Sequence, residues 1–473
     1  MRKTKIICTI GPACRDEETI TKMIDAGMNV ARLNFSHADH AHHKETIDML
    51  KAIRKKLEIP LAILLDTKGP EVRVKSFKDG KCELVDNQKF TLTTREVEGT
   101  SEIVSVNFDK FATSLVAGNI ILIDDGKIGL VVDEVSDTDV VCTVTHGGMI
   151  SDRKSINVPN VHLDFPHLSD TDKADILFGI EEDVDFVAAS FIRDASDVQT
   201  IRKYLNYNGG HAIKIISKIE NMEGIDNFDE ILEHSDGIMV ARGDMGVEIE
   251  FERLPGIQKR FIKKCYQAGK IVITATQMLE SMISNPSPTR AEITDVANAV
   301  FDGTSAVMLS GETAAGKYPV KACLAMAKIA RQAQQDAFEM EVFKKIPTPI
   351  DAFDISNAVC DAACRAANDI AAKAIIALTK SGQTARGMSK YRPDQVIVAT
   401  TPDVKTYNQL AMSWGVYPVM ARYIDDQNKL LQHAVDCAKQ IDMVENGDNV
   451  VIAAGVPIGA QGGTNMIKVE VVK

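Results

Sequence analysis

Lys218 and Glu220 stand two residues apart at the end of an Ile-rich run, and Asp244 follows the next such run. In extended backbone, residues i and i+2 share a face, so the ammonium and the carboxylate project together and each offsets part of the other's desolvation cost. Glu220 with Asp244 offers two hard oxygens, the pattern for Mg2+ (or Mn2+) held by one or two carboxylates, water and a substrate phosphate. No His/Cys cluster competes, which argues against zinc. Arg32 and Arg73 bring forked donors that match phosphate or carboxylate. Asn34, Ser36, Asp66 and Thr67 are oxygen donors on neighbouring runs, a nest suited to a monovalent cation, although capping and turn roles account for them equally well.

Alone, Lys218 and Glu220 would serve as a structural ion pair. They are not alone. Polar groups also close the runs at Arg32 to His37, Asp66 to Lys68, Arg242 to Asp244, Thr276, and Ser310 to Glu312. Filling a core this way is costly, because unpaired buried charge destabilises strongly. The set therefore reads as an anion-handling metal site.

The elements that position these groups are short Ile/Val-rich runs at 5–10, 30–34, 62–66, 186–189, 214–218, 237–241, 271–275 and 305–309. Each is followed by a helix-like segment, such as 16–26 before Gly27, 41–56 before Pro60, 173–182 after Ser169, and 253–268 before Gly269. Eight β/α units imply a closed (β/α)8 TIM barrel, whose reactive groups sit at the C-terminal ends of the strands. About a hundred residues interrupt the third and fourth units. Between Gly69-Pro70 and Pro166 the pattern becomes short alternating strands (90–94, 120–124, 127–132, 140–145) with an Asp125-Gly126 hairpin signal, predicting an inserted small all-β lid, a β-barrel over residues 70–166. Residues 1–69 and 167–345 form the barrel, and 346–473, after the Pro347 and Pro349 pair, a C-terminal α/β sheet domain.

The chain has 473 residues, 45% hydrophobic and 25% charged, with a formal charge of −12. Length predicts several cores. The acidic balance argues against nucleic-acid binding, which needs clustered positive charge. The nine scattered cysteines read as reduced thiols, and with no signal-like or membrane-length run the expected location is the cytoplasm, with no membrane partner.

The strings that carry these groups resemble pyruvate kinases, bacterial type without an extra C-terminal domain: MNVARLNFSH at 28–37, LDTKGPEVR at 65–73, IISKIEN at 215–221, MVARGDMG at 239–246, ATQMLESM at 275–282 and MLSGETA at 308–314. The resemblance implies transfer of the phosphoryl group of phosphoenolpyruvate to ADP, giving ATP, with protonation of the enolate to pyruvate, the last step of glycolysis. It assigns Glu220 and Asp244 to Mg2+ and Lys218 to the phosphoryl group in flight. Arg73 is to hold phosphate from the lid side, and Arg32, Gly243, Asp244 and Thr276 are to bind substrate. Thr276 lies beside the enolate carbon, where a threonine, being a poor acid, would orient a water. Ser310 and Glu312 would support the site and Arg32.

Pro12, Asn34, His37 and Arg73 match nucleotide positions, and Asn34, Ser36, Asp66 and Thr67 match K+ ligands. Glu71 stands where potassium-dependent members carry Glu and potassium-independent members carry Lys, so K+ dependence is expected. Thr171 departs from a family lysine that contacts nucleotide phosphates, with Lys173 as a compensating cation. In the last domain LTKSGQTA at 378–385 resembles an effector-phosphate loop, with Thr379, Lys380, Ser381, Gly382 and Thr384 as ligands for a sugar phosphate or nucleotide, and the facing loop 454–464 looks bacterial. A homotetramer is carried over from the family. Two other readings stay open: a Mg2+-dependent carbon–carbon lyase barrel, which would not need the lid, and a catalytically silent sugar-phosphate sensor, which would not need Lys218 and Thr276.

Overall fold

The computed structural model describes residues 1–345, 354–457 and 463–473. Eight parallel strands, Lys5–Thr9, Val30–Asn34, Ala62–Asp66, Phe186–Ala189, Lys214–Ile219, Gly237–Ala241, Ile271–Ala275 and Ala306–Leu309, close in sequence order, the first pairing the last through Lys5 and Ala306. This is the expected (β/α)8 barrel. Strand ends shift by a residue from the sequence reading. The helix expected over 173–182 starts three residues earlier, as Asp170–Glu181, because the Ser169 hydroxyl caps the Asp172 amide and adds a first turn.

Alternate strand residues face opposite ways, giving the barrel two apolar layers. Ile7, Val30, Leu64, Phe186, Ile216 and Met239 fill the interior, while Ile6, Ile63, Val187, Ile215 and Val240 pack under the surrounding helices. Ala411 and Met412, from the last domain, join the interior cluster and so plug one end. The groups read from the sequence as chemical, Arg32, Asp66, Lys218, Glu220 and Asp244, lie at the opposite, C-terminal strand ends.

Between Asp66 and Phe186 lies a seven-stranded sheet that runs, in spatial order, from Val72–Arg73 to Ile103–Ser105. It curls until a single bridge, Val74 to Val106, links its two ends. Its core includes Phe90, Leu92, Phe111, Ile121, Leu130 and Val144. The last domain is a five-stranded sheet whose inner strands are Ala374–Leu378, Val396–Thr401 and Asn449–Ala454, the apolar runs of that segment. Two edge strands escaped the sequence reading. Val416–Met420 contains Pro418, which lacks a ladder donor and is tolerated at an edge, and Met466–Val471 runs antiparallel with alternating charge. The expected linker prolines and residues 458–462 of the facing loop lie outside the described residues.

Where the last domain meets the barrel, Lys5 is fully buried, donating from Nζ to the Val416 carbonyl at 2.6 Å and lying 4.6 Å from the Tyr417 ring centre. Burial lowers its pKa to about 7. The folded value is below that of the unfolded chain, so below pH 7 the native state bears the whole cost of a buried ammonium. As pH rises from about 7 to about 10.5 the unfolded state holds the extra proton and that cost is relieved. Lys5→Met should therefore gain stability relative to wild type by a few kcal/mol near neutral pH, less the orphaned Val416 carbonyl, and the gap should close by pH 10. Denaturant melts of both proteins across that range measure it; a pH-independent gap would contradict the assignment.

Candidate active site

The strand ends converge as the barrel geometry requires. Lys218 projects inward from the fifth strand, and its Nζ contacts Asp66 Oδ1 at 3.1 Å, Glu220 Oε1 at 2.9 Å and Ser190 Oγ at 2.8 Å. Arg32, on the second strand, donates from Nε to Asp66 Oδ2 at 2.6 Å and from Nη1 to the Thr9 hydroxyl at 2.9 Å. Asp66 is buried and held below the usual carboxylate range: burial works to raise it, and Arg32 and Lys218 outweigh burial. Burial also opposes the Lys218 ammonium, yet Asp66 and Glu220 more than compensate, holding the amine charged.

The remaining carboxylates are less well matched. Burial pushes Glu220 up to about 7 against the pull of Lys218, and neighbouring Asp244 pushes it further; Asp244 is itself raised, mainly by burial. Asp66, Glu220 and Asp244 thus face two cations, Lys218 and Arg32, and the shortfall falls on the Glu220–Asp244 pair. A carboxylate pair, Glu220 buried and Asp244 half-buried, that is one cation short is the donor set that a divalent ion fits.

Thr276 and Gln277 both adopt left-handed backbone, with φ of 65° and 54°. For a β-branched threonine this is strained, and the surroundings must hold it. Arg242 does so. It donates from Nη2 to the Thr276 carbonyl at 2.6 Å, from Nε to the Ala275 carbonyl at 3.1 Å, and pairs with Asp295 at 2.7 Å. The Thr276 hydroxyl then accepts from the Gly243 amide at 2.8 Å and donates to the Ala275 carbonyl at 2.6 Å, which places it beside the residue that precedes Asp244. Glu312, fully buried, accepts from the amides of Leu279 at 3.0 Å and Ser310 at 2.7 Å. It staples the seventh and eighth strand loops, whereas the hydrogen bonds of Arg32 go to Asp66 and Thr9; the expected support of Arg32 by Glu312 is not direct.

Asn34 and Asp66 pair in register across adjacent strands, and the Asn34 side chain accepts from the Ser36 amide at 3.1 Å. The Thr67 hydroxyl accepts from the Ser190 amide at 3.2 Å. These oxygens lie on neighbouring strand ends, and those of Asp66 and Thr67 already serve protein donors. Pro12 and His37 are exposed at the barrel rim, the His37 carbonyl accepting from His43 at 2.9 Å. Arg73 does not reach into the mouth: its guanidinium lies on Glu71, at 2.8 and 2.7 Å, and on the Arg153 carbonyl at 2.6 Å. Thr171 is exposed in the first helical turn, and Lys173, the expected compensating cation, pairs with Asp170 at 2.8 Å. Ser190 and Arg242 received no role from the sequence; both lie just past strand ends, where the rule that found Lys218 would also have found them.

Comparison with known proteins completes the picture. The model for "Pyruvate kinase, barrel domain" matches residues 1–323 and that for "Pyruvate kinase, alpha/beta domain" matches residues 357–470. The pyruvate kinase of Clostridium acetobutylicum is 50% identical over 474 residues, covering all of both chains. That of Clostridium perfringens is 47% identical over 99% of this chain and all of its own. The pyruvate kinase of Staphylococcus saprophyticus is 50% identical over all of this chain and 81% of its own length. The chain belongs to the pyruvate kinase family.

Proposed function

We propose that the protein transfers the phosphoryl group of phosphoenolpyruvate to ADP and releases pyruvate and ATP. The observation that carries this reading is the Lys218 ammonium, held among Asp66, Glu220 and Ser190 beside a carboxylate pair that is one cation short. In the reaction the bond between phosphorus and the enol oxygen breaks, a β-phosphate oxygen of ADP forms the new bond, and the enolate takes a proton at its methylene carbon. Such transfers depend on positioning and charge neutralisation rather than on covalent chemistry by the protein. Lys218 binds the phosphoryl oxygens as charge spreads over them. Thr276, presented by Arg242 and Glu312, orients a water for the proton. Arg73 must leave Glu71 to reach an anion at the mouth, and the curled sheet that carries it closes the site. Glu220 and Asp244 would hold Mg2+ (or Mn2+), which supplies Lewis-acid neutralisation of the substrate's charge.

We assign Asn34, Ser36, Asp66 and Thr67 to K+, and Pro12, Asn34, His37 and Arg73 to the nucleotide. The family pattern at Glu71 supports the K+ requirement: a lysine there would bring its own positive charge to a site that now carries a carboxylate. Assays for pyruvate from phosphoenolpyruvate and ADP, with Mg2+ and with or without K+, should show activity rising at least tenfold with K+ in wild type and less than threefold in Glu71→Lys. Equal K+ activation of both would remove Glu71 from this role.

A cavity of about 760 Å3 in the last domain, lined by Thr379, Lys380, Ser381, Thr384, Arg422 and Thr464, supports an activating site for a sugar phosphate or nucleotide. Gly382, in left-handed backbone, donates its amide to the Thr379 hydroxyl at 2.9 Å and so shapes the loop. A homotetramer in the cytoplasm remains our reading of assembly and location. All nine cysteines are free thiols, and no helix among the described residues is long and apolar enough to cross a membrane.

A further inference from the structure

We propose that Ser190 and the backbone of Phe191 form a positioning element that aims Lys218 at the phosphoryl group and ties it to the hinge of the inserted sheet; this rests on the role given to Lys218 above. Ser190 lies just beyond the fourth strand with its side chain almost wholly buried. A serine hydroxyl has one proton and two lone pairs. Here the proton goes to the Thr67 carbonyl at 2.6 Å, which turns a lone pair to Lys218 Nζ at 2.8 Å. The Ser190 amide, donating to the Thr67 hydroxyl at 3.2 Å, fixes the backbone that carries it.

Lys218 has three ammonium protons and three neighbours to receive them, Asp66, Glu220 and Ser190. Glu220 is the one whose oxygens the divalent ion would also claim. With that contact weakened, Asp66 and Ser190 remain as two fixed legs and the third proton is free for a phosphoryl oxygen. The next residue acts on the carboxylate: Phe191, in left-handed backbone with φ of 54°, donates its amide to Glu220 Oε2 at 2.7 Å. Two consecutive residues therefore set both the cation and a metal-assigned carboxylate.

The turn at Gly69, where the chain leaves the third strand for the inserted sheet and about which we place its hinge, packs on the same two residues. Gly69 has φ of 74° and hydrogen-bonds through its amide to Asp172 at 3.0 Å; a methyl group there would fall 2.7 Å from Ser190 Cβ and 2.8 Å from the Phe191 ring. Movement of the inserted sheet about Gly69 is thus felt first at Ser190 and Phe191. Since a misplacement of about 1 Å costs on the order of a hundredfold in rate, a small displacement here is enough to turn Lys218 off.

In steady-state assays with phosphoenolpyruvate, ADP, Mg2+ and K+, Ser190→Ala should lose 30- to 100-fold in kcat per folded molecule. KM for phosphoenolpyruvate and the Mg2+ activation constant should stay within threefold, and Tm within a few degrees. Because the effect passes through Lys218, adding Ser190→Ala to Lys218→Met should change kcat less than twofold. Gly69→Ala, which perturbs the element from the hinge side without removing a polar group, should also lower kcat at least tenfold. A kcat within threefold of wild type in folded Ser190→Ala, or a full additional loss in the Lys218→Met background, would overturn the proposal. So would a variant that only melts earlier, or unchanged kcat in Gly69→Ala should Ser190→Ala not fold. Absence of pyruvate from the wild type would instead defeat the underlying reading.

Discussion

Lys218→Met should lower kcat about 10³- to 10⁵-fold while changing KM for phosphoenolpyruvate far less. The range is that of a cation acting on a transferring phosphoryl group, which needs the charge most when the group is in flight. Methionine keeps the length and apolar stem of lysine but removes the ammonium, so Asp66 Oδ1, Glu220 Oε1 and the Ser190 hydroxyl lose their shared donor. Arg32 still neutralises Asp66 through its 2.6 Å contact, and so the barrel should remain folded. Steady-state kinetics, with circular dichroism to confirm folding, check the prediction. A loss of less than tenfold would remove Lys218 from the chemical step.

Glu220→Gln should raise the Mg2+ concentration needed for half-activation by at least 30-fold and lower kcat by about 10² even at saturating metal, because a neutral amide oxygen is a weaker ligand for a hard dication. Phe191 and Lys218 meet different oxygens of Glu220, Oε2 and Oε1, so the one amide oxygen can keep only one of these contacts while charge is removed. The change also predicts a sign in stability. The Glu220 carboxyl titrates at about 7 in the metal-free fold, above its value in the unfolded chain, so between about pH 4.5 and 7 the native state binds more protons and loses stability as pH rises. Metal-free Glu220→Gln should lack that loss and be the more stable protein at pH 8. Metal titrations of activity, together with denaturant melts in chelator at pH 5 and pH 8, test both effects; unchanged metal activation would show that Glu220 is not a ligand.

Much of this was legible because a parallel barrel leaves a strong imprint: runs such as AILLD at 62–66 and IVITA at 271–275 are buried throughout and followed by polar residues. Charged residues at their ends, Lys218, Glu220 and Asp66, advertise themselves because burying them needs a reason. Ser190 did not, since a neutral hydroxyl after Ala189 is unremarkable until its partners are known. Arg242 sat in view yet its task, holding Thr276 in left-handed backbone, depends on a carbonyl one strand away. Contacts that cross between elements were least legible. The expected link from Glu312 to Arg32 followed from shared chemistry, whereas the fold uses Glu312 to join Leu279 and Ser310. Arg73 likewise reads as a phosphate ligand, and only the three-dimensional arrangement shows it resting on Glu71 and Arg153. In the curled sheet, alternation pointed to four of the seven strands, missing the short ones at Val72–Arg73, Ile103–Ser105 and Ser155–Asn157, and not to their order, which long-range pairing decides.

On the proposed function, the cluster around Lys218 moves a phosphoryl group from phosphoenolpyruvate to ADP rather than to water. Phosphorus NMR of phosphoenolpyruvate and ADP mixed with the protein, Mg2+ and K+ follows that transfer atom by atom. One γ-phosphate of ATP should appear for each phosphoenolpyruvate consumed, with pyruvate in equal amount by proton NMR. Inorganic phosphate in place of ATP, or unchanged phosphoenolpyruvate under every metal condition, would contradict it.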